Sequence, residues 1–145
     1  MTDLKAMPSQ QHLAVVIGAS GGIGAAIHTQ LIARGGFDAV LAFARNTHPA
    51  VDITDEASIA DLAAHVKALG APRFIFDATG FLHDEATQPE RAIKQLTPEA
   101  MEKNFRINAM GPALLMKHFL PLFPRQGRAV FASLSAKVGS ITDNK

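Results

Sequence analysis

The sequence predicts an α/β fold with a doubly wound parallel sheet, and two patterns support this prediction. Short apolar runs alternate with longer stretches that carry apolar residues at helical spacing, which is the order of repeated strand-helix units. The first run, residues 13–17, is apolar without alternation, as expected for a strand covered on both faces. The chain has 145 residues, 48% hydrophobic and 19% charged, and can therefore bury one core.

The apolar runs and their boundaries predict the elements in order. Strands are predicted over residues 13–17, 39–43, 50–53, 73–77 and 128–134. Helices are predicted over residues 23–34, 55–69 and 97–120. About five strands are thus expected from the spacing of the apolar runs.

Capping residues and one proline refine the two later helices. Thr54 is predicted to be the N-cap of the second helix and Gly70 its C-terminal stop. Thr97 is predicted to be the N-cap of the third, which is followed by a first-turn proline. Pro112 lies inside this third helix, where it removes one backbone hydrogen bond, and is expected to bend or split it near residues 108–111.

Charge and composition exclude several classes of function. A formal net charge of +1 gives no basic field for nucleic acid or for an anionic membrane, so neither is expected as a partner. The absence of cysteine excludes disulfides and thiolate metal sites, and the six histidines show no short ligand spacing, so no metal is expected. We find no signal-peptide core and no apolar span near the roughly 20 residues of a membrane helix, and expect a cytoplasmic protein.

A glycine-rich turn between the first strand and the first helix is the strongest local motif. Glycines allow the backbone to approach a pyrophosphate, whose charge is met by the N-terminus of the following helix. The candidate cofactor-binding residues of this turn are Gly18, Ser20, Gly22, Ile23 and Gly24. The spacing has two interpretations, Gly18-Gly22-Gly24 and Gly18-Gly21-Gly24. No Gly-Lys-Ser/Thr ending is present, which argues against a P-loop NTPase.

Four further motifs follow the glycine turn in a fixed order. They are Asp52-Ile53, Asp77-Ala78-Thr79-Gly80, Asn108-Ala109-Met110-Gly111 and Ser133-Leu134-Ser135. Together the five motifs resemble those of the short-chain dehydrogenase/reductase family, and residues 80–84 and 135–141 resemble its C-factor-like bacterial branch. The resemblance implies a Rossmann-type NAD(P)-binding domain over residues 12–145, after an N-terminal extension over residues 1–11. It also implies that this domain is incomplete at its C-terminal end, with the sheet truncated after about five strands.

The resemblance also implies roles for individual residues. Asp52 and Ile53 would receive the adenine, and Ala78 and Gly80 would line the cofactor site. Asn108 resembles the residue whose backbone carbonyl holds a water of the proton relay, and an alternative is a polar plug in the helix kink. Ser135 would bind the substrate carbonyl oxygen, with Ser133 as the alternative.

The preferred cofactor is argued from charge at the end of the second strand. An acid there accepts the ribose hydroxyls of NAD, whereas an arginine accommodates the extra phosphate of NADP. Arg45 occupies this position with no acid beside it, and Asp38 precedes the strand. NADP is therefore predicted, and NAD stays open.

The catalytic pair of the family is missing from this chain. Members transfer hydride between the nicotinamide and a carbonyl or alcohol with a Tyr-x-x-x-Lys pair, but the chain contains no tyrosine. We expect a fragment of an NADP-dependent oxidoreductase that is inactive alone and belongs to a homo-oligomeric complete protein. The alternative is a non-catalytic dinucleotide-binding or sensing module. The particular substrate is not encoded in these motifs.

Overall fold

The computed structural model describes residues 11–84, 88–136, 139 and 142. Its strands are β1 (His12–Ile17), β2 (Ala39–Phe43), β3 (Ala71–Asp77) and β4 (Val130–Ser133). Its helices are α1 (Gly22–Arg34), α2 (Glu56–Leu69), α3 (Pro98–Phe105) and α4 (Gly111–Phe119), with a π-helical turn (Arg106–Met110) between the last two. Short 3-10 turns cover Ile93–Gln95 and Leu120–Leu122.

The four strands form one parallel sheet in the order β2-β1-β3-β4. The chain moves outward from β1 to β2 and then returns past β1 to β3. Because such crossovers are right-handed, this reversal places α1 and α2 on opposite faces of the sheet. The predicted α/β fold with a doubly wound parallel sheet is confirmed.

The four strands end level with one another. Phe43, Ile17, Asp77 and Ser133 are the last residues of their strands, and each is in register with its neighbour across the sheet. The loops that follow the strands therefore emerge side by side at one edge. In an open parallel sheet, this edge is where ligands bind, at the point where the strand order reverses.

The main core lies between the sheet and the helices α2 and α4. Leu13, Val15 and Ile17 of β1 are fully buried there, because alternate side chains of a strand face the same side. Leu62 of α2 and Leu115 of α4 cover them and are 1% and 0% exposed. Among the described residues, no helix is both long enough and apolar enough to span a bilayer.

The predicted strand at residues 50–53 is wrong. Val51 and Ile53 alternate with polar residues as in a strand, and both are buried in the core. The backbone hydrogen bonds go elsewhere, since the amide of Val51 donates to the carbonyl of Ala44 and that of Asp52 to the hydroxyl of Ser58. Within the residues that the structure describes, the sheet consequently has four strands rather than five.

The N-cap of α2 is Asp55, so the prediction of Thr54 is wrong. The Asp55 carboxylate accepts a hydrogen bond from the amide of Ala57. The hydroxyl of Thr54 instead donates to the carboxylate of Asp52, two residues earlier. At the other end of the helix, Gly70 is the C-cap as predicted.

The predicted long helix is interrupted where Pro112 was expected to interrupt it. Thr97 is the N-cap and accepts a hydrogen bond from the amide of Ala100, as predicted. The α-helical pattern then gives way to the π turn at Arg106–Met110, immediately before Gly111 and Pro112. Proline cannot donate the next backbone bond, and the wider turn is the result.

Leu62→Ala should lower the free energy of unfolding by about 2–5 kcal/mol, because it removes buried methyl groups and leaves a cavity. Leu69→Ala, the same change in the same helix at a side chain that is 41% exposed, should cost less than about 1 kcal/mol. Urea unfolding of both variants measures the difference. Equal losses would contradict the placement of the core against this face of α2.

Candidate functional site

A cleft of about 570 Å³ opens at the carboxyl ends of β1, β2 and β3. Its walls come from the glycine turn, the segments that follow β2 and β3, and the helix that contains the π turn. Seven predicted site residues line it: Gly18, Ser20, Arg45, Asp52, Ile53, Ala78 and Gly80. Gly22, Ile23, Gly24, Asn108 and Ser135 do not line the cleft itself.

Gly18 is the point of closest approach between the turn after β1 and the segment after β3. Its φ of 82° is in the left-handed region that favours glycine. A Cβ atom there would lie 2.9 Å from the carbonyl carbon of Ala78. The amides of Gly18 and Ala19 both donate to the carbonyl of Phe43, which ties the turn to β2 as well.

The other glycines of the turn differ in what they permit. A Cβ at Gly24 would lie 2.3 Å from the carbonyl oxygen of Gly18, so α1 packs directly on the turn. A Cβ at Gly22 would meet nothing within 4 Å, and one at Gly21 only the Gly18 oxygen at 3.5 Å. Internal packing thus requires Gly18 and Gly24, common to both interpretations of the spacing, and leaves open space beside Gly21 and Gly22.

The N-terminus of α1 is not capped by a side chain. Gly21 is the N-cap, and the first intrahelical bond runs from the amide of Ala25 to its carbonyl. The amides of Gly22 and Ile23 therefore belong to the first turn, which has no intrahelical acceptor for its N–H groups. This end of the helix carries partial positive charge and suits an anionic phosphate group.

Asp52 and Arg45 stand at the end of the cleft near β2. The Asp52 carboxylate accepts hydrogen bonds from the hydroxyl of Thr54 at 2.7 Å and from its amide at 2.9 Å. These bonds, with a smaller contribution from the charge of Arg45, lower the pKa of Asp52 below its usual value. Asp38 lies at the opposite end of β2, where it accepts from the amide of His12.

The buried side chain of Asp77 holds the segment after β3 in place. Asp77 is 0% exposed, and its carboxylate accepts hydrogen bonds from the amide and hydroxyl of Thr79. Its other oxygen accepts from the hydroxyl of Ser133 at 2.8 Å. Sequence reasoning assigned no role to Asp77, although this residue begins the motif Asp77-Ala78-Thr79-Gly80.

Asn108 holds the same segment from the helix. Its side-chain oxygen accepts from the amide of Phe81 at 2.8 Å, and its side-chain nitrogen donates to the Phe81 carbonyl at 2.7 Å. The side-chain nitrogen also lies 3.3 Å from the amide oxygen of Asn104. The predicted polar residue in the kink therefore pairs with the loop after β3 as well as with its own helix.

The two candidate serines lie in different positions at the end of β4. Ser133 is the last residue of the strand, and its hydroxyl donates to Asp77. Ser135 is exposed and lies two residues beyond the strand, after Leu134, whose amide donates to the carbonyl of Asp77. Both serines are exposed, but the hydroxyl of Ser133 is engaged with the buried carboxylate of Asp77, whereas Ser135 lies among the loops beyond the strand.

Sequence reasoning missed a cluster at the mouth of the cleft. Lys103 of α3 forms an ion pair with Asp84 and lies 4.4 Å from the centroid of the Phe81 ring. Lys103 and Ile107 both line the cleft. Their spacing of four residues, which places both on one helix face just before Asn108, was the available signal.

Together these features define a parallel α/β protein with a phosphate-binding type of turn at its topological switch point. Residues 24–145 match the protein family described as enoyl-(acyl carrier protein) reductase. The chain belongs to this family, and the resemblance to the short-chain dehydrogenases/reductases is confirmed. No curated protein matches the sequence.

Several solved structures share the fold. NADPH-bound carbonyl reductase from chicken fatty liver superposes with a TM-score of 0.76 at 22% identity, covering 93% of this chain and 60% of that one. A short-chain dehydrogenase/reductase from Burkholderia multivorans with bound NADP superposes with a TM-score of 0.75 at 23% identity, covering 94% of this chain and 63% of that one. A short-chain dehydrogenase from Streptomyces avermitilis superposes with a TM-score of 0.72 at 26% identity, covering 90% of this chain and 50% of that one. The chain thus spans one half to two thirds of the length of these structures.

Gly24→Ala should lower the free energy of unfolding by about 3 kcal/mol or more, because the added Cβ meets backbone atoms that cannot rotate away. Gly22→Ala, two residues earlier, should change it by less than about 1 kcal/mol, since the space there is open. Thermal unfolding distinguishes the two. A Gly24→Ala variant as stable as the parent would contradict the direct packing of α1 on the turn.

Thr54→Val should raise the pKa of Asp52, because it removes the hydroxyl bond that lowers this pKa most. A lowered folded-state pKa adds stability above the ordinary pKa of aspartate, and this contribution is lost as the pH falls through the lower value. NMR titration of the Asp52 carboxyl carbon measures the change. Ser58→Ala is the control, since Ser58 bonds the Asp52 amide and not its carboxylate. An unchanged pKa in Thr54→Val would refute the assignment.

Proposed function

We propose that this chain is the cofactor-binding part of an NADP(H)-dependent oxidoreductase, which transfers hydride between the nicotinamide and a carbonyl or alcohol substrate. The observation that carries the proposal is the cleft at the strand ends, where the Gly18 turn, Arg45 and Asp52 meet. Its volume lies within the roughly 300–1,000 Å³ usual for small-molecule sites. The bound NADPH and NADP of two structures with the same fold support the choice of cofactor.

The residues present fit a dinucleotide along the cleft. The amides of Gly22 and Ile23, with Ser20 beside them, would hold the pyrophosphate at the N-terminus of α1. Asp52 and Ile53 would receive the adenine, the acid with an oxygen available to its amino group. Ala78 and Gly80 would form the wall along the other half of the cofactor. The bound cofactor would donate the hydride to a carbonyl substrate or accept it from an alcohol.

Arg45 supports NADP over NAD. It lines the cleft just after β2, in the position where the ribose of a dinucleotide is recognised. The acid nearest β2 in sequence, Asp38, is at the far end of the strand and is engaged with His12. A guanidinium at this position binds the extra phosphate of NADP with paired, charge-assisted hydrogen bonds.

Asn108 and Ser135 are the proposed catalytic residues. In an α-helix, the amide of residue 112 would donate to the carbonyl of Asn108, but Pro112 has no N–H. That carbonyl therefore lacks its α-helical donor from residue 112 and suits a water of a proton relay. Ser135 is the proposed partner of the substrate carbonyl oxygen, because the hydroxyl of Ser133 already donates to Asp77.

The proposal separates binding from turnover. The family chemistry uses a tyrosine as proton donor, and this chain contains none. The 145-residue chain is accordingly proposed to bind the cofactor without oxidising it. The same observation favours the second candidate, a non-catalytic dinucleotide-binding or sensing module, which differs from the first in what a longer protein would contain.

The surface of α3 and α4 bears on the assembly of the complete protein. Exposed apolar side chains follow one another along α3 and α4, including Phe105 at 60%, Met101 at 42% and Met116 at 38% exposure. Patches of this kind support contact with a second copy, and we propose a homo-oligomer for the complete protein. A cytoplasmic location and a small-molecule substrate belong to the same proposal.

The chain should bind NADPH more tightly than NADH, and Arg45→Ala should remove this preference. The variant should lose about tenfold or more in NADPH affinity, as expected for the loss of charge-assisted hydrogen bonds, and little in NADH affinity. Fluorescence titration of both cofactors measures the four dissociation constants. Arg106→Ala, which removes a nearby cation outside the main cleft, is the control for net charge and should retain the preference.

Three results would count against the proposal. A chain that binds neither cofactor would overturn the cofactor-binding function, and tighter binding of NADH would overturn the choice of NADP. Oxidation of NADPH by the 145-residue chain with a panel of aldehydes and ketones would contradict the separation of binding from turnover.

A further inference from the structure

We propose that Gly111 is a positioning residue for the adenine end of the cleft and that it acts through Ile53. The proposal rests on the proposed function, because it takes Ile53 to be a wall of the adenine site. Gly111 closes the Asn-x-x-Gly motif and begins α4, directly after the π turn. It does not line the cleft, so its effect on a ligand has to pass through a neighbour.

The contact between these two residues leaves no space for a side chain at position 111. A Cβ on Gly111 would lie 2.8 Å from Cδ1, 3.2 Å from Cγ1 and 3.3 Å from Cβ of Ile53. Rotation of the Ile53 side chain about its outer bonds could move Cδ1 away but not Cβ. A methyl group at position 111 would thus displace Ile53 or the helix as a whole.

The helix is the more firmly held of the two. Leu115 and Phe119 of α4 are fully buried in the core. On the surface, Lys117 and His118 both contact the carboxylate of Glu56 on α2, at 2.5 and 3.0 Å. Ile53 lies in an irregular segment with the cleft on its free side. A larger residue at 111 would therefore push Ile53 into the cleft.

This geometry predicts that a larger residue at position 111 lowers the affinity for ligands that contain adenine. Narrowing the adenine end should weaken NADPH and adenosine 2′-monophosphate to the same degree, because both place an adenine against Ile53. A merely structural role for Gly111 would lower the unfolding temperature without changing the affinity of the folded protein. Ile53→Val removes Cδ1, the nearest atom, and should restore part of the affinity in the double variant.

The test compares the parent chain with Gly111→Ala, Ile53→Val and the double variant. Dissociation constants for NADPH and adenosine 2′-monophosphate are measured by calorimetry, and folding is checked by thermal unfolding. Gly111→Ala should weaken both ligands about tenfold relative to the parent chain. The same substitution made in the Ile53→Val background should weaken them by no more than half as much on a logarithmic scale.

The outcomes separate this inference from the proposed function. If the parent chain does not bind NADPH, the proposed function fails. If it binds, and Gly111→Ala binds equally well or is not improved by Ile53→Val, the inference fails. Should Gly111→Ala not fold, NMR of the parent chain decides. Cross-peaks from the Ile53 δ1-methyl to both the Gly111 Hα and the adenine protons of bound NADPH support the inference, and the absence of either overturns it.

Discussion

The cleft exists because three backbone segments meet at Gly18 with no side chain between them. The turn after β1 contacts the segment after β3 through Gly18, and the first turn of α1 packs on the same residue through Gly24. A side chain at either position would force the segments apart, since its Cβ would lie within 3 Å of backbone atoms. The positions of the α1 N-terminus and of Ala78 relative to each other depend on this contact.

Because the four strands end at the same level, the loops around this contact form a single site. Because Phe43, Ile17, Asp77 and Ser133 lie in one row across the sheet, the residues that follow them emerge at the same height. Main-chain bonds then tie each loop to the neighbouring strand, from Gly18 to Phe43, from Ala78 to Ile17 and from Leu134 to Asp77. The site is therefore built on the rigid sheet, and its polar groups are positioned before any ligand arrives.

Local sequence patterns predicted the fold class, the strands β1 and β2 and the interruption by Pro112, because each depends on neighbouring residues. The strand at 50–53 could not be rejected from periodicity. Val51 and Ile53 are buried at alternate positions, but the hydroxyl of Ser58 and the carbonyl of Ala44 take the amides that a strand would use. The pairing of Asn108 with Phe81 was equally inaccessible, since it spans 27 residues and depends on the π turn.

Because of the π turn, one helical segment contacts the residues that form two walls of the cleft. In a continuous α-helix, residues three apart lie on nearly the same face, so Asn108 and Gly111 would face the same neighbouring segment. The extra residue in the turn widens the helix locally. Asn108 faces Phe81, after β3, while Gly111 packs on Ile53, after β2. Pro112, by removing one donor, maintains the wider turn and with it the separation of the two walls.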